Sequence, residues 1–128
     1  MTRSRRSAKA AGATFERQVA DYLARVWDDR IDRRVKTGAK DKGDIANFRV
    51  GGQRVVIECK DDISNNIGGW YNEAVAEAAN DAAPVGIVIA KRRGKGRPED
   101  QWCHMTVGDL VQLLTFATGC SSASGREE

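Results

Sequence analysis

Asp44 and the run Glu58-Cys59-Lys60 are the residues of this chain whose types and spacing could do chemistry. An apolar stretch, Val55-Val56-Ile57, leads directly into them. Positions two apart on a strand share a face, so Glu58 and Lys60 point the same way. Carboxylates drawn to one spot repel each other unless a cation sits between them. Oxygen donors without histidine or thiolate favour Mg²⁺, with Mn²⁺ able to substitute. Such an ion prefers phosphate oxygens, which points to a phosphodiester substrate. The ion would polarise the scissile phosphate and lower the pKa of a bound water. Lys60 would orient that water or stabilise charge on phosphorus. The Cys59 carbonyl is a further candidate ligand, and its thiol reads as core.

Placing Asp44 beside Glu58 depends on a hairpin. The segments Asp44–Val50 and Arg54–Lys60 read as strands around the turn signal Gly51-Gly52. A two-residue turn would set Asp44 opposite Cys59, on the wrong face. A three-residue turn, Gly51–Gln53, would put Asp44, Glu58 and Lys60 on one face. We expect that register, or a bulge near Asp44 with the same effect.

A fourth acid comes from a helix expected over Ala13–Asp29, with Thr14 as its N-cap. At about 100° per residue, Phe15, Val19, Tyr22, Leu23 and Val26 form its apolar face. Glu16 is the one charged residue inside that arc. A lone buried carboxylate is costly, so Glu16 needs a partner. That partner is either a metal ion shared with Asp44 and Glu58, or a salt bridge to Lys60 or an arginine.

The other expected elements are a strand at Asp32–Lys36, a helix over Gly69–Ala82 stopped by Pro84, and strands at Val85–Ala90 and Trp102–Thr106. A last helix over Val107–Ala117 opens with a Thr106/Asp109 capping box. Helices flanking a mixed central β-sheet make an α/β fold, an α/β/α sandwich. Residues 1–12 read as a loose basic arm, 13–118 as the domain and 119–128 as a loose tail.

The chain has 128 residues with a net charge of +3, 41% hydrophobic and 30% charged. That suits one folded domain rather than a disordered chain. The charge is unevenly placed. Basic residues gather at Arg3, Arg5, Arg6 and Lys9, again from Arg30 to Lys42, and again from Lys91 to Arg97. Clusters of this kind suit phosphate contacts. Three separated cysteines and a single histidine, His104, argue against a disulfide framework, a zinc site or a His-based hydrolase. No apolar run is long enough for a membrane span, and no signal-peptide core follows the basic start. A reducing cytosol is the expected setting, with no membrane partner and no small-molecule cofactor. Asp41, Asp61 and Asp62 read as loop acids rather than ligands. Trp70, Tyr71 and Trp102 read as core or dimer packing rather than base-stacking platforms.

Asp44, then Glu58-Cys59-Lys60, after a helix holding Glu16, resembles the PD-(D/E)xK nuclease superfamily. The Phe15-Glu16-Arg17 start and the run Thr37-Gly38-Ala39-Lys40-Asp41-Lys42-Gly43-Asp44-Ile45 resemble the Holliday junction resolvases of archaea and phages. The basic loop Lys91–Gly96 with Gln101-Trp102 resembles small actinobacteriophage resolvase-type proteins. The likeness covers about residues 13–115, with Gly43 where the motif's name has proline. It implies a homodimeric divalent-metal endonuclease cutting branched DNA at junctions, with linear duplex as an alternative substrate. A non-catalytic DNA-binding protein on the same scaffold is a third reading. Glu16, Asp44 and Glu58 would hold the metal and Lys60 would be the catalytic lysine. Arg5, Arg6, Arg17, Lys36, Thr37, Lys40, Lys42, Arg92, Arg93, Lys95 and Arg97 would grip DNA phosphates.

Overall fold

The computed structural model describes residues 4–36 and 38–119. Helix α1 runs from Arg5 to Val26, so it begins at Arg5 and not at Ala13. Ser4, not Thr14, is the N-cap, and its hydroxyl accepts the Ser7 N–H at 3.1 Å. The alanines, arginines and lysine between Ser4 and Ala13 are strong helix formers, so a capped helix wins over a loose arm there. Of the expected arm 1–12, only residues 1–3 lie outside the described residues. Of the expected tail 119–128, only Gly119 lies within them.

Strands β1 (Asp32–Arg33) and β2 (Ile45–Ala46) pair antiparallel as a small separate ribbon. Strands β3 (Arg49–Val50), β4 (Gln53–Lys60), β5 (Val85–Ala90) and β6 (Trp102–His104) form the main sheet in that order. The β4–β5 pair is parallel and its neighbours are antiparallel, so the sheet is mixed. Helix α2 (Ile67–Asn80) supplies the crossover between the parallel strands, and α3 (Val107–Thr118) follows β6. The expected capping box opens α3, with Thr106 and Asp109 satisfying each other's backbone N–H.

The expected three-residue turn does not form. Val50 pairs with Gln53, leaving a two-residue turn at Gly51-Gly52. Both glycines stand at positive φ, 58° and 81°, the geometry a tight type I′ hairpin requires. The partner strand is instead interrupted at Asn47, itself at φ 68°. Phe48 still accepts from Val55 N–H at 3.1 Å, while Asp44 N–H donates to Ile57 O at 2.9 Å. Ile45, Ala46 and Asn47 thus stand opposite the single Val56 of β4, a bulge that turns β2 away to β1; with two extra residues it leaves the alternation of faces as the turn sets it, so it does not have the effect expected for Asp44.

The two faces of the sheet are covered by different helices. Val55, Ile57 and Cys59 of β4 point to a core with Phe15, Val19 and Ala20 of α1, to which Leu113 and Phe116 of α3 add. The alternate residues face α2, where Trp70 and Ala74 pack against Val88 and Ala90. Gly86 lets α2 approach closely: a Cβ there would lie 2.4 Å from the Ala74 carbonyl oxygen. The fold is α/β, with helices on both faces of a mixed sheet. Among the described residues no helix is long and apolar enough to cross a membrane.

Candidate active site

Strand β4 carries Glu58 and Lys60 on its α2 face, as their spacing requires, with Lys60 Nζ 3.4 Å from Glu58 Oε2. Asp44 reaches the same end of β4 from just before β2. Its carbonyl accepts from Arg34 N–H, and its Oδ2 accepts from Cys59 N–H, each at 2.8 Å. Gly43 makes this approach possible. It stands at φ 93°, and a Cβ there would meet Val56 Cγ1 at 2.7 Å. Proline, locked near −65°, cannot adopt that angle, so the departure from the motif's name is a conformational necessity here.

Two acids outside the expected site residues, Glu73 and Glu77, join the site from α2. Glu73 pairs with Lys60 at 2.7 Å, and Glu77 packs against Glu58. Their signal was available: Trp70, Ala74, Glu77 and Ala78 share the buried helix face, and Glu77 is its one charged member. Asp44, Glu58 and Glu77 are only 5%, 8% and 6% exposed.

Burial and mutual repulsion act together on these three carboxyls. Burial, then the charge of Glu58, pushes Asp44 up to about 8, against the lowering effect of the Cys59 N–H. Burial, then contact with Glu77, pushes Glu58 up to about 8. Glu77 rises to about 7, chiefly through burial. Two carboxylates can bridge only if one carries a proton. As anions, Glu58 and Glu77 each leave a buried Oε1 with no hydrogen-bond partner. Stranded hard-oxygen donors of this kind fit a divalent cation. Among the described residues no three His, Cys, Asp or Glu side chains already stand as a coordination cluster. The carboxylates would therefore have to close around an ion.

Lys60 lies between Glu58 and Glu73. Burial opposes its charge, but the Glu73 hydrogen bond and both carboxylates outweigh that and raise it above an ordinary lysine. Lys60 stays cationic. Lys36 Nζ stands 4.0 Å from Asp44 Oδ1 and 3.9 Å from Asp41 Oδ2. Burial pushes the Cys59 thiol well up, so it stays neutral. The Cys59 N–H points to Asp44 rather than to β5. Its carbonyl faces the same edge, since a strand residue presents both groups on one side.

Glu16 is half-buried, but Arg33 partners it through two hydrogen bonds, 3.3 and 2.9 Å long. It belongs to α1, on the other face of the sheet from Glu58. Its negative charge still reaches Asp44 and Cys59.

The basic residues are spread over several clefts and loops. Lys9, Arg17, Arg33, Arg34 and Lys36 line a cleft of about 630 Å³ with Glu16. A second cleft of about 440 Å³ joins Lys9 to Cys59, Lys60 and Asp61. Lys40 and Lys42 line a neighbouring loop cavity. Arg5 and Arg6 are exposed on the first turn of α1, and Lys95 is exposed too. Arg17 already pairs with Asp21 and Asp32, Arg93 with Asp61, and Arg97 with Asp100. Arg92 lies over the Trp102 ring at 4.3 Å. Thr37 lies outside the described residues. Trp70 is core, and the Tyr71 hydroxyl donates to Asp109, so both serve packing. Trp102 is half exposed.

No family model, no curated protein and no solved structure matches this chain.

Proposed function

We propose that the protein is a metal-dependent endodeoxyribonuclease that resolves four-way DNA junctions, in the manner of the resolvases its motifs resemble. The observation that carries this reading is the meeting of Asp44 and Glu58 beside a charged Lys60 at the end of β4. Mg²⁺, or Mn²⁺ in its place, suits that donor set. When bound, it would polarise the scissile phosphodiester and lower the pKa of a water. Asp44, just before β2, and Glu58 of β4 hold the site, and the Cys59 carbonyl offers a neutral oxygen at the same edge. Lys60 stabilises the charge that builds on the phosphate as the water oxygen bonds to phosphorus and the phosphorus–oxygen bond to one sugar breaks, that sugar leaving with its oxygen as a hydroxyl. Glu73 keeps Lys60 in place until DNA arrives. The basic clefts on either side of Lys9 would receive the backbone by its charge and shape.

Resolution needs two opposed nicks, which a two-fold dimer supplies. Val107, Leu110, Val111 and Leu114 form an exposed apolar row on α3, while its other side is already in the core. A helix apolar on both sides calls for a second cover, and a second copy of this chain would provide it.

The test is cleavage of a four-way junction and a matched linear duplex, in Mg²⁺ or EDTA. Symmetric, Mg²⁺-dependent nicks confined to the junction are expected. Equal cutting of the duplex would move the substrate to linear DNA. Binding without cutting, unchanged in Glu58→Ala, would remove the nuclease reading.

A further inference from the structure

We propose that Glu77 of α2 is the third carboxylate of the cation seat, and that the seat lies on the α2 face of the sheet and leaves Glu16 out. The inference rests on the metal-dependent reading above and names residues that reading does not require.

Helix α2 presses Glu77 towards the sheet, because Gly86 admits the helix backbone so closely at Ala74. Glu77 is only 6% exposed, and its Oε1 is buried with no hydrogen-bond partner. It packs against Glu58, whose own Oε1 is equally stranded. Nearby cations are committed elsewhere. Lys60 serves Glu58 and Glu73, Lys36 serves Asp41 and Asp44, and Arg34 serves Asp81. Among the described residues no lysine or arginine forms an ion pair with Glu77. Buried anions are paired or bind metal, and here no side chain supplies the missing positive charge. A divalent cation between Glu58 and Glu77 would satisfy both stranded oxygens together. Glu16 is in the opposite condition: Arg33 already neutralises it on the α1 side.

The experiment is titration of the full chain with Mn²⁺ alone, without DNA, read by calorimetry or by the free-Mn²⁺ paramagnetic resonance signal. Wild type is expected to bind saturably. Glu77→Gln should weaken binding by about 10-fold or more, and Glu16→Gln by no more than about 2-fold. Glu77→Asp, which keeps the charge, should retain part of the affinity. Thermal unfolding without metal checks each fold. Glu77→Gln should unfold no earlier than wild type, because it removes a repelling charge and adds a donor for Glu58. Wild-type affinity in Glu77→Gln would overturn the inference and leave the metal reading standing. So would a loss that follows Glu16→Gln instead. Absence of Mn²⁺ binding by folded wild type would overturn both.

Discussion

The Cys59 backbone N–H donates to Asp44 Oδ2 at 2.8 Å, tying the first acid of the site to the strand that carries the second. Asp44 N–H also donates to Ile57 O at 2.9 Å, so Asp44 lies along that edge of β4, just before β2, where Gly43 at φ 93° admits the chain. The two-residue turn on its own sets position 44 opposite position 59, with its side chain on the α1 face. The site is thus assembled along the edge of β4, and several consequences can be measured.

Stability should depend on pH in a direction unusual for an acid-rich site. Asp44 and Glu58 sit near 8 and Glu77 near 7, against ordinary values of 3.8 and 4.5. The folded protein holds protons that the unfolded chain releases, so stability falls as pH rises between about 5 and 8. Asp28 and Asp32 are shifted downwards and stay ionised throughout that window, so they do not reverse the trend. The Tm of the metal-free protein should drop across it, by an amount on the order of a few kcal/mol in stability. Excess Mg²⁺ should raise Tm more at about pH 8 than at about pH 5. A flat metal-free profile would count against the buried carboxylates.

Lys60→Met should lower the junction-cleavage rate by about 10²-fold or more, while Kd for the junction changes little. Gel-shift and single-turnover assays separate the two effects. A large loss of binding would recast Lys60 as a phosphate contact.

Gly86→Ala should destabilise the fold by about 1–3 kcal/mol, because its Cβ would lie 2.4 Å from the Ala74 carbonyl oxygen. Denaturant unfolding measures this. Since α2 also carries Glu73 and Glu77, cleavage should fall in molecules that remain folded.

Reversing charge in the β5–β6 loop, with Arg92→Glu and Arg93→Glu together, should weaken DNA binding and flatten its dependence on salt. Arg93 is bound to Asp61 in the free protein, so Arg92 is expected to account for more of the loss. An unchanged salt slope would remove the loop from the interface.

Leu114→Glu on the exposed row of α3 should convert a dimer to a monomer by light scattering, with no loss of fold because Leu114 faces solvent. Wild-type protein that is already monomeric would remove the α3 row as a dimer face.

Local signals determined much of this molecule. The apolar run into Glu58-Cys59-Lys60 gave a buried strand with its acid and lysine on one face, since strand alternation is a property of the backbone alone. Thr106 and Asp109 announced a capping box, and the basic clusters were legible from composition. The half-burial of Glu16 followed from helical periodicity. Its partner did not, because Arg33 comes from β1 and only the packing of that ribbon on α1 brings the two together. The start of α1 was legible in principle, in Ser4 and the alanines after it, but the basic charge there suggested a loose arm. The choice between turns belonged to the tertiary structure, where Asp44 reaches the Cys59 N–H along the edge of β4 despite a two-residue turn. So did Glu77. Its chemistry was plain in the sequence, but its nearness to Glu58 depends on how deeply α2 settles on the sheet, and the contact at Gly86 sets that distance.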